Sequence, residues 1–121
     1  MTKLNDSEWQ VLTVLWQTGG TELPVVVDAL RPKYNWSRKT VFTYLVRMEK
    51  KGLVAIDKGR YPHIYRAAVD RDACRADARQ NFLEQVYQGS AGEMVAAFLR
   101  EQPISHEERD RLRRLLDEME V

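Results

Sequence analysis

Cationic and hydroxyl side chains crowd the segment from residue 37 to residue 51, and their chemistry suits nucleic-acid contacts. Guanidinium and ammonium groups pair with phosphates and donate to guanine, while threonine hydroxyls bond to bases or phosphates. Residues three or four apart share a helix face, so a helix would place most of these side chains on one surface. The predicted DNA-binding residues of this segment are Arg38, Lys39, Thr40, Thr43, Arg47 and Lys50.

The same segment predicts a helix with one buried side. Ser37 is a typical N-cap residue and Gly52 a typical stop, so we expect the helix to run to about residue 51. Val41, Leu45 and Met48 recur at intervals of four and three residues and are expected to face the core. The cationic side is then left for water or for a partner.

A predicted β-hairpin follows this helix. Two strand-like runs, Leu53 to Asp57 and His63 to Ala67, are joined by a loop that contains Lys58 and Arg60. Pro62 has no N–H to donate, so we expect its strand at an edge. In a winged helix-turn-helix the third helix enters the major groove, and we expect the basic hairpin to supply backbone charge through Lys58 and Arg60.

The elements before the basic helix complete this motif. Asn5 and Glu8 have the spacing of a capping box, which predicts the start of a first helix that ends at Gly19. Pro24 suits the beginning of a second, short helix, which we expect Pro32 to close. The order helix, helix, basic helix, hairpin predicts an N-terminal winged helix-turn-helix domain over residues 1–69.

Charge is distributed unevenly over the 121 residues, although the formal net charge is only +1. Residues 31–66 hold ten basic and two acidic residues, residues 1–30 hold one and four, and residues 67–121 hold eight and twelve. A basic segment between two acidic ones is typical of a protein with one face that meets a polyanion. Double-stranded DNA is the predicted partner, and an acidic protein partner for the same helix is the alternative.

Residues 70–121 predict a C-terminal tail of three helices. Such a tail of about 50 residues is too small and too thinly apolar to bury its stripes alone, so we expect it to pack against a second copy. Packing within one chain is the alternative for the last stripe. The fold class is thus mainly α with a small β-hairpin and a helical dimerisation tail. The predicted dimer-interface residues are Phe82, Val86, Met94, Phe98, Leu112, Leu115, Leu116 and Met119.

Several functional classes are not expected. No apolar run approaches the length of about 18 residues that spans a bilayer, and no signal sequence is evident, so we expect a cytoplasmic protein without membrane contact. Cys74 is the single cysteine and only two histidines are present, so neither a metal site nor a cofactor is predicted. No nucleophile elbow or phosphate-binding glycine loop occurs, so we predict that the chain is no enzyme.

The run from Trp36 to Gly52 resembles the recognition helix of the penicillinase-repressor family, the bacterial regulators of β-lactamase, methicillin-resistance and copper-transport genes. The segments from Leu4 to Trp16, around Lys58 and Tyr65, and from Phe82 to Leu99 are similar to that family too. The resemblance therefore covers most of the chain. It implies a homodimeric transcriptional repressor, in which each winged-helix domain reads half of a palindromic operator of a β-lactamase or related resistance or stress gene.

The resemblance also implies a way to release the operator. In the family's best-known members a membrane sensor-linked protease triggers cleavage in the tail between an Asn and a Phe. The matching pair here is Ala97 and Phe98, which makes this bond the candidate cleavage site, with Ala in place of the Asn. The copper-responsive branch carries Cys-x-Cys pairs near its C-terminus, and residues 115–121 contain no cysteine, so a copper mechanism is not expected.

Overall fold

Six α-helices and one two-stranded hairpin follow each other along residues 3–120, the part of the chain that the computed structural model describes. This composition confirms the predicted fold class, mainly helical with a small hairpin. The helices are α1 Asp6–Thr18, α2 Leu23–Tyr34, α3 Arg38–Lys50, α4 Arg71–Tyr87, α5 Ala91–Glu101 and α6 His106–Glu118, and the strands are β1 Val54–Asp57 and β2 Ile64–Ala67.

The chain forms two compact units, Met1–Ala78 and Arg79–Val121. Helix α4 begins in the first unit and ends in the second, whereas the predicted boundary lies just before α4. The division into functional domains at residues 69 and 70 stays a prediction. Among the helices of residues 3–120, none has the length and apolarity that crossing a membrane requires.

The core of the first unit lies where α1, α2 and α3 pack with the hairpin. Val41, Leu45 and Met48 are at most 1% exposed, which confirms the predicted inner side of α3. Burying one such aliphatic side chain stabilises the fold by about 1.5–3 kcal/mol, so this side of the helix is held firmly inward. The other core residues are Val11, Leu12, Val14, Leu15, Val26, Val27, Leu30, Leu53, Val54 and Tyr65.

Helix α1 begins at the predicted capping box. The Glu8 backbone N–H donates to Asn5 Oδ1 at 2.9 Å, and the Asn5 N–H donates to Glu8 Oε1 at 3.0 Å. The helix ends at Gly19, whose φ of 72° lies in the left-handed region that favours glycine. Farther along α1, the Trp16 indole N–H donates to the Val69 carbonyl at 3.0 Å, which ties the helix to the segment that leads into α4.

Helix α2 does not end where the sequence suggests. We expected Pro32 to close it, but the helix continues to Tyr34, so that prediction is wrong. Proline removes only one backbone hydrogen bond, and in the last turn the rest of the ladder survives. Asn35 then caps the helix with a φ of 49°, and its N–H donates to the Arg31 carbonyl at 2.9 Å.

The hairpin is antiparallel, with Val54 opposite Ala67 and Asp57 opposite Ile64. Each observed strand starts one residue later than its predicted run. This difference is small because the apolar pattern of both runs is short and continuous, which leaves strand ends poorly specified.

Strand β2 is paired on both sides at Tyr65. Besides its pairing with β1, the Tyr65 N–H donates to the Thr21 carbonyl at 2.8 Å, and the Thr21 N–H donates to the Tyr65 carbonyl at 3.0 Å. In the two-stranded sheet β2 is an edge strand, as expected, and this single bridge is its only further pairing among the described residues. Gly20 makes the approach possible, since its φ is +118° and a Cβ there would lie 2.7 Å from Arg66 Cγ.

The second unit has short, well-capped helices without a closed core. Ser105 and Glu108 form both bonds of a capping box at α6, and Ser90 Oγ accepts the Glu93 N–H at 3.4 Å at α5. No residue from 79 to 120 is fully buried. The apolar stripes of these helices thus remain largely open to solvent in the single chain.

Candidate nucleic-acid interface

Ser37 fixes the start of α3, the helix with the predicted DNA-binding face. Its Oγ accepts the Thr40 backbone N–H at 3.1 Å, and its hydroxyl donates to Thr40 Oγ1 at 3.0 Å. Such a cap typically contributes about 1 kcal/mol to helix stability. The first turn, which carries the residues expected to reach bases, is therefore ordered before any partner binds.

Four cations of α3 point away from the core and are available for a polyanion. Arg38, Lys39, Arg47 and Lys50 are exposed, and none of them forms an ion pair with a carboxylate among residues 3–120. Their charge is thus not neutralised within the described chain. The structure brings these predicted residues together on one helix, opposite its buried side.

The two predicted threonines are half-buried between these cations. The Thr43 hydroxyl donates to the Lys39 carbonyl at 2.9 Å, so its oxygen keeps lone pairs for an incoming donor. Adenine and cytosine present amino groups in the major groove, and such an oxygen can accept hydrogen bonds from them. Phe42 is exposed beside this face, in a position to meet an apolar group such as the thymine methyl.

The aromatic residues behind α3 support it from inside the unit. Trp36 stacks on Tyr34 with ring centroids 4.4 Å apart and meets Tyr44 edge to face at 5.0 Å. All three rings pack against the core. This arrangement makes Trp36 a packing residue rather than a platform for bases.

The loop between β1 and β2, residues 58–63, is shaped by local hydrogen bonds. Asp57 Oδ1 accepts the Gly59 N–H at 3.0 Å, which turns the chain directly after β1. Lys58 and Arg60 are both exposed on this loop, as the hairpin prediction requires. Lys58 Nζ also lies 3.3 Å from Glu49 Oε2 on α3, a contact that the sequence did not predict.

Charges on α3 affect the pKa of the buried Tyr65 phenol. Its pKa is raised, first by burial and then by the Glu49 carboxylate, while Arg38 acts in the opposite direction. A protonated, neutral phenol is therefore favoured at the base of the hairpin. This pattern places the negative charge of Glu49 close to the sheet.

Two charged residues near the candidate interface were not predicted from the sequence. Arg31 lines an open cleft of about 330 Å³ together with Arg38, between α2 and the start of α3. Arg31 forms an ion pair with Asp28 at 2.9 Å. In the sequence, this spacing of three residues is typical of an ordinary ion pair on a helix surface. Glu49 was missed although it is the only acidic residue of α3, and that isolation was the signal available.

The lone cysteine lies outside this interface. Cys74 is buried in the first unit, and burial raises the pKa of its thiol, with smaller contributions from Asp77 and Asp70. A protonated thiol is a poor nucleophile and a poor metal ligand, which agrees with a structural role. In the part of the chain that the structure describes, no three histidine, cysteine or carboxylate side chains are grouped as a metal site would need.

Seven of the eight predicted dimer residues lie on the helices of the second unit, and Met119 is the C-cap residue of α6. Met94 and Leu112 are half-buried there, whereas the others are exposed, up to 60% for Leu116 and Met119. Leu112 and Leu116 also line an open cleft of about 200 Å³. The candidate cleavage bond between Ala97 and Phe98 lies inside α5. The exposed members of the predicted set are Phe82, Val86, Phe98, Leu115, Leu116 and Met119.

Comparison with known families gives one match over nearly the whole chain. The sequence model of the family described as "Penicillinase repressor" matches residues 4–118. The methicillin resistance regulatory protein MecI of Staphylococcus aureus (strain N315) is 24% identical over 115 residues, which are 95% of this chain and 94% of that protein. The penicillinase repressor of Bacillus licheniformis is 29% identical over 116 residues, 96% of this chain and 91% of that protein.

Comparison with solved structures agrees. The monomeric form of Bacillus licheniformis BlaI, in complex with the blaP half-operator, has a TM-score of 0.52 at 28% identity and covers 59% of this chain and 87% of that chain. The DNA binding domain of the repressor BlaI has a TM-score of 0.51 at 29% identity and covers 57% of this chain and 84% of that chain.

Proposed function

The chain belongs to the penicillinase repressor family, whose members are transcriptional repressors, and we propose that it represses as a homodimer on double-stranded DNA. The observation that carries the proposal is the surface of α3. Its four exposed cations have no carboxylate partner among residues 3–120, and two threonines lie between them. Such a face supplies both phosphate pairing and donors or acceptors for base edges.

Membership of the family confirms two predictions from the sequence. The resemblance seen from Trp36 to Gly52 and beyond holds over residues 4–118. The prediction that the chain is no enzyme is also confirmed, because the family consists of repressors.

The homodimer is supported by the second unit. Its helices leave large apolar side chains exposed, and no residue from 79 to 120 is fully buried in one chain. Leu99, Ile104, Leu112 and Leu116 line one cleft, and clustered apolar surface of this kind marks an interaction site. A second copy offers the same stripes, so a symmetric interface would cover both at once.

A palindromic operator follows from a symmetric dimer. Two winged-helix domains related by a two-fold axis read two half-sites in opposite directions. The BlaI structure was solved with a half-operator, which supports the same division of labour here. The relatives' names support a β-lactamase or related resistance or stress gene as the target, and a repressor of such a gene would act in the bacterial cytoplasm.

Cleavage by a sensor-linked protease remains part of this proposal. The bond between Ala97 and Phe98 lies inside α5, with Phe98 exposed and Ala97 half-buried. A protease binds its substrate in an extended form, so α5 has to unwind locally before this bond is cut. Its position among the predicted interface residues means that cleavage there would weaken the dimer. Mass spectrometry of the chain after induction tests the site, and an intact α5 in induced cells would exclude it.

The test of the main proposal is a DNA-binding titration of the full chain. The probe is a labelled duplex from the region upstream of the chain's own gene, and salt is varied because phosphate contacts release counterions. We expect saturable binding that weakens steeply with salt, and loss of affinity in an Arg38→Ala variant. An absence of binding at physiological salt would favour the acidic-protein alternative.

A further inference from the structure

The hairpin loop carries an ion pair with the helix that is meant to read DNA. Lys58 Nζ lies 3.3 Å from Glu49 Oε2 and 3.4 Å from Glu49 Oε1. Both carboxylate oxygens thus face the ammonium group, an arrangement that two oxygens of a phosphate can reproduce. The Lys58 side chain is 60% exposed and the Glu49 side chain 31%, so the pair is open to solvent and to ligands.

Lys51, a second lysine of residues 31–66, forms an ion pair with a buried carboxylate. Lys51 Nζ lies 2.7 Å from Glu8 Oε2, and the Glu8 side chain is only 7% exposed. Separating that pair would leave a carboxylate buried without its cation, which is costly. An exposed pair such as Glu49–Lys58 contributes little to stability, so a stronger anion can displace its carboxylate.

Glu49 also stands alone in its surroundings. It is the only acidic residue of α3, and the other carboxylate of residues 31–66, Asp57, already accepts the Gly59 N–H at 3.0 Å. Neither carboxylate is needed for the buried side of α3. A negative charge between a cationic helix and a cationic loop opposes any polyanion that binds both.

We propose that Glu49 competes with DNA phosphate for Lys58, so that this lysine exchanges its carboxylate partner for a phosphate when DNA binds. This inference rests on the proposed function and assigns to Glu49 the role of weakening DNA binding. The contribution of Lys58 to DNA affinity is then reduced, because its phosphate contact forms only when its ion pair with Glu49 breaks. The carboxylate left behind further lowers affinity for any DNA, whatever its sequence.

The test uses the full chain and a fluorescein-labelled DNA duplex of mixed sequence, with binding followed by anisotropy. Glu49→Gln keeps the shape and a hydrogen-bond acceptor but removes the charge. We expect binding about two- to fivefold tighter, which is the range that an exposed ion pair corresponds to. We also expect the slope of log affinity against log salt to change by less than the value of about 0.9 for one phosphate contact, because Lys58 contacts a phosphate in both chains.

Two further variants isolate the competition. Lys58→Gln should change affinity little in the wild-type chain but should reduce the gain in the Glu49→Gln chain, because only the loss of the carboxylate's repulsion then remains. Asp72→Asn is the matched control, because Asp72 is an exposed carboxylate 3.6 Å from Arg71 on α4 and its loss changes net charge equally. It should have a smaller effect than Glu49→Gln. Circular dichroism of each variant verifies that the fold is retained.

The outcomes separate this inference from the proposed function. If the wild-type chain binds and Glu49→Gln binds equally or more weakly, Glu49 holds the hairpin in place and the competition is refuted. An additive effect of the two substitutions would refute it as well. If the wild-type chain binds no duplex even at low salt, the proposed function fails and the competition fails with it.

Discussion

Lys51 Nζ donates to Glu8 Oε2 at 2.7 Å, a contact between residues 43 positions apart. The same Glu8 carboxylate accepts the Asn5 N–H through Oε1, so one buried side chain caps α1 and holds the residue that ends α3. The start of α1 and the end of α3 are therefore fixed to each other. This ion pair fixes the position of the end of α3 relative to α1 in the unbound chain.

Replacing Glu8 should lower stability. Glu8→Gln retains an acceptor for the cap but removes the charged partner of Lys51, so we expect the free energy of unfolding to fall by about 1–2 kcal/mol. Urea unfolding followed by tryptophan fluorescence measures the change. Asp6→Asn is the control, because Asp6 is an exposed carboxylate in the same first turn. Equal effects of the two substitutions would contradict the role assigned to the buried pair.

Lys39 should contribute directly to operator affinity. If it contacts a base, Lys39→Ala weakens binding by about 1–3 kcal/mol and relaxes sequence preference; if it contacts a phosphate, the salt slope falls by about 1. Titrations on specific and mixed-sequence duplexes distinguish the two contacts. Arg75→Ala removes an exposed cation from α4 and should change neither quantity. Unchanged binding by Lys39→Ala on both duplexes would remove this residue from the interface.

Leu116 should be essential for self-association. A carboxylate placed at this 60% exposed position would be buried in a dimer, so Leu116→Glu should shift the chain to monomers. Analytical ultracentrifugation measures the distribution. Arg114→Glu adds the same group on the opposite side of α6 and should leave the dimer in place. A dimer that persists in Leu116→Glu would show that the α6 stripe lies outside the interface.

Tyr65 should make the fold sensitive to alkaline pH. Because the pKa of its phenol is raised in the folded state, the native chain holds this proton more tightly than the unfolded chain does. Its contribution to stability is complete below the unfolded pKa of about 10 and is lost as pH rises toward the folded value. Urea midpoints between about pH 7 and pH 11 should therefore fall less for Tyr65→Phe than for the wild type. Tyr61→Phe, at a 92% exposed position, serves as the control and should follow the wild type.

Features that depend on neighbouring residues were predictable from the sequence. The caps at Asn5, Ser37 and Ser105 each join residues three positions apart, so residue type and spacing are enough to find them. The inner side of α3 followed from its repeat for the same reason. The resemblance of the recognition helix was equally local, since it lies in one unbroken run.

Features that depend on distant residues were not predictable. Pro32 was expected to end α2, but whether one lost hydrogen bond ends a helix is decided by the surrounding packing. The partners of Lys51 and Lys58 lie 43 and nine positions away, and no periodicity reports them. The sequence therefore predicted a set of exposed cations without showing which of them are already paired.

The two backbone bonds between Thr21 and Tyr65 separate the hairpin into a fixed base and a replaceable tip. Residues 58–62 lie beyond this clamp and carry no residue of the core. In directed evolution, a library limited to these five positions would vary the length and charge of the loop while the sheet keeps its register. Changes to Gly20 or Thr21 would instead disturb the sheet itself, so the loop after α1 is the poorer place to diversify.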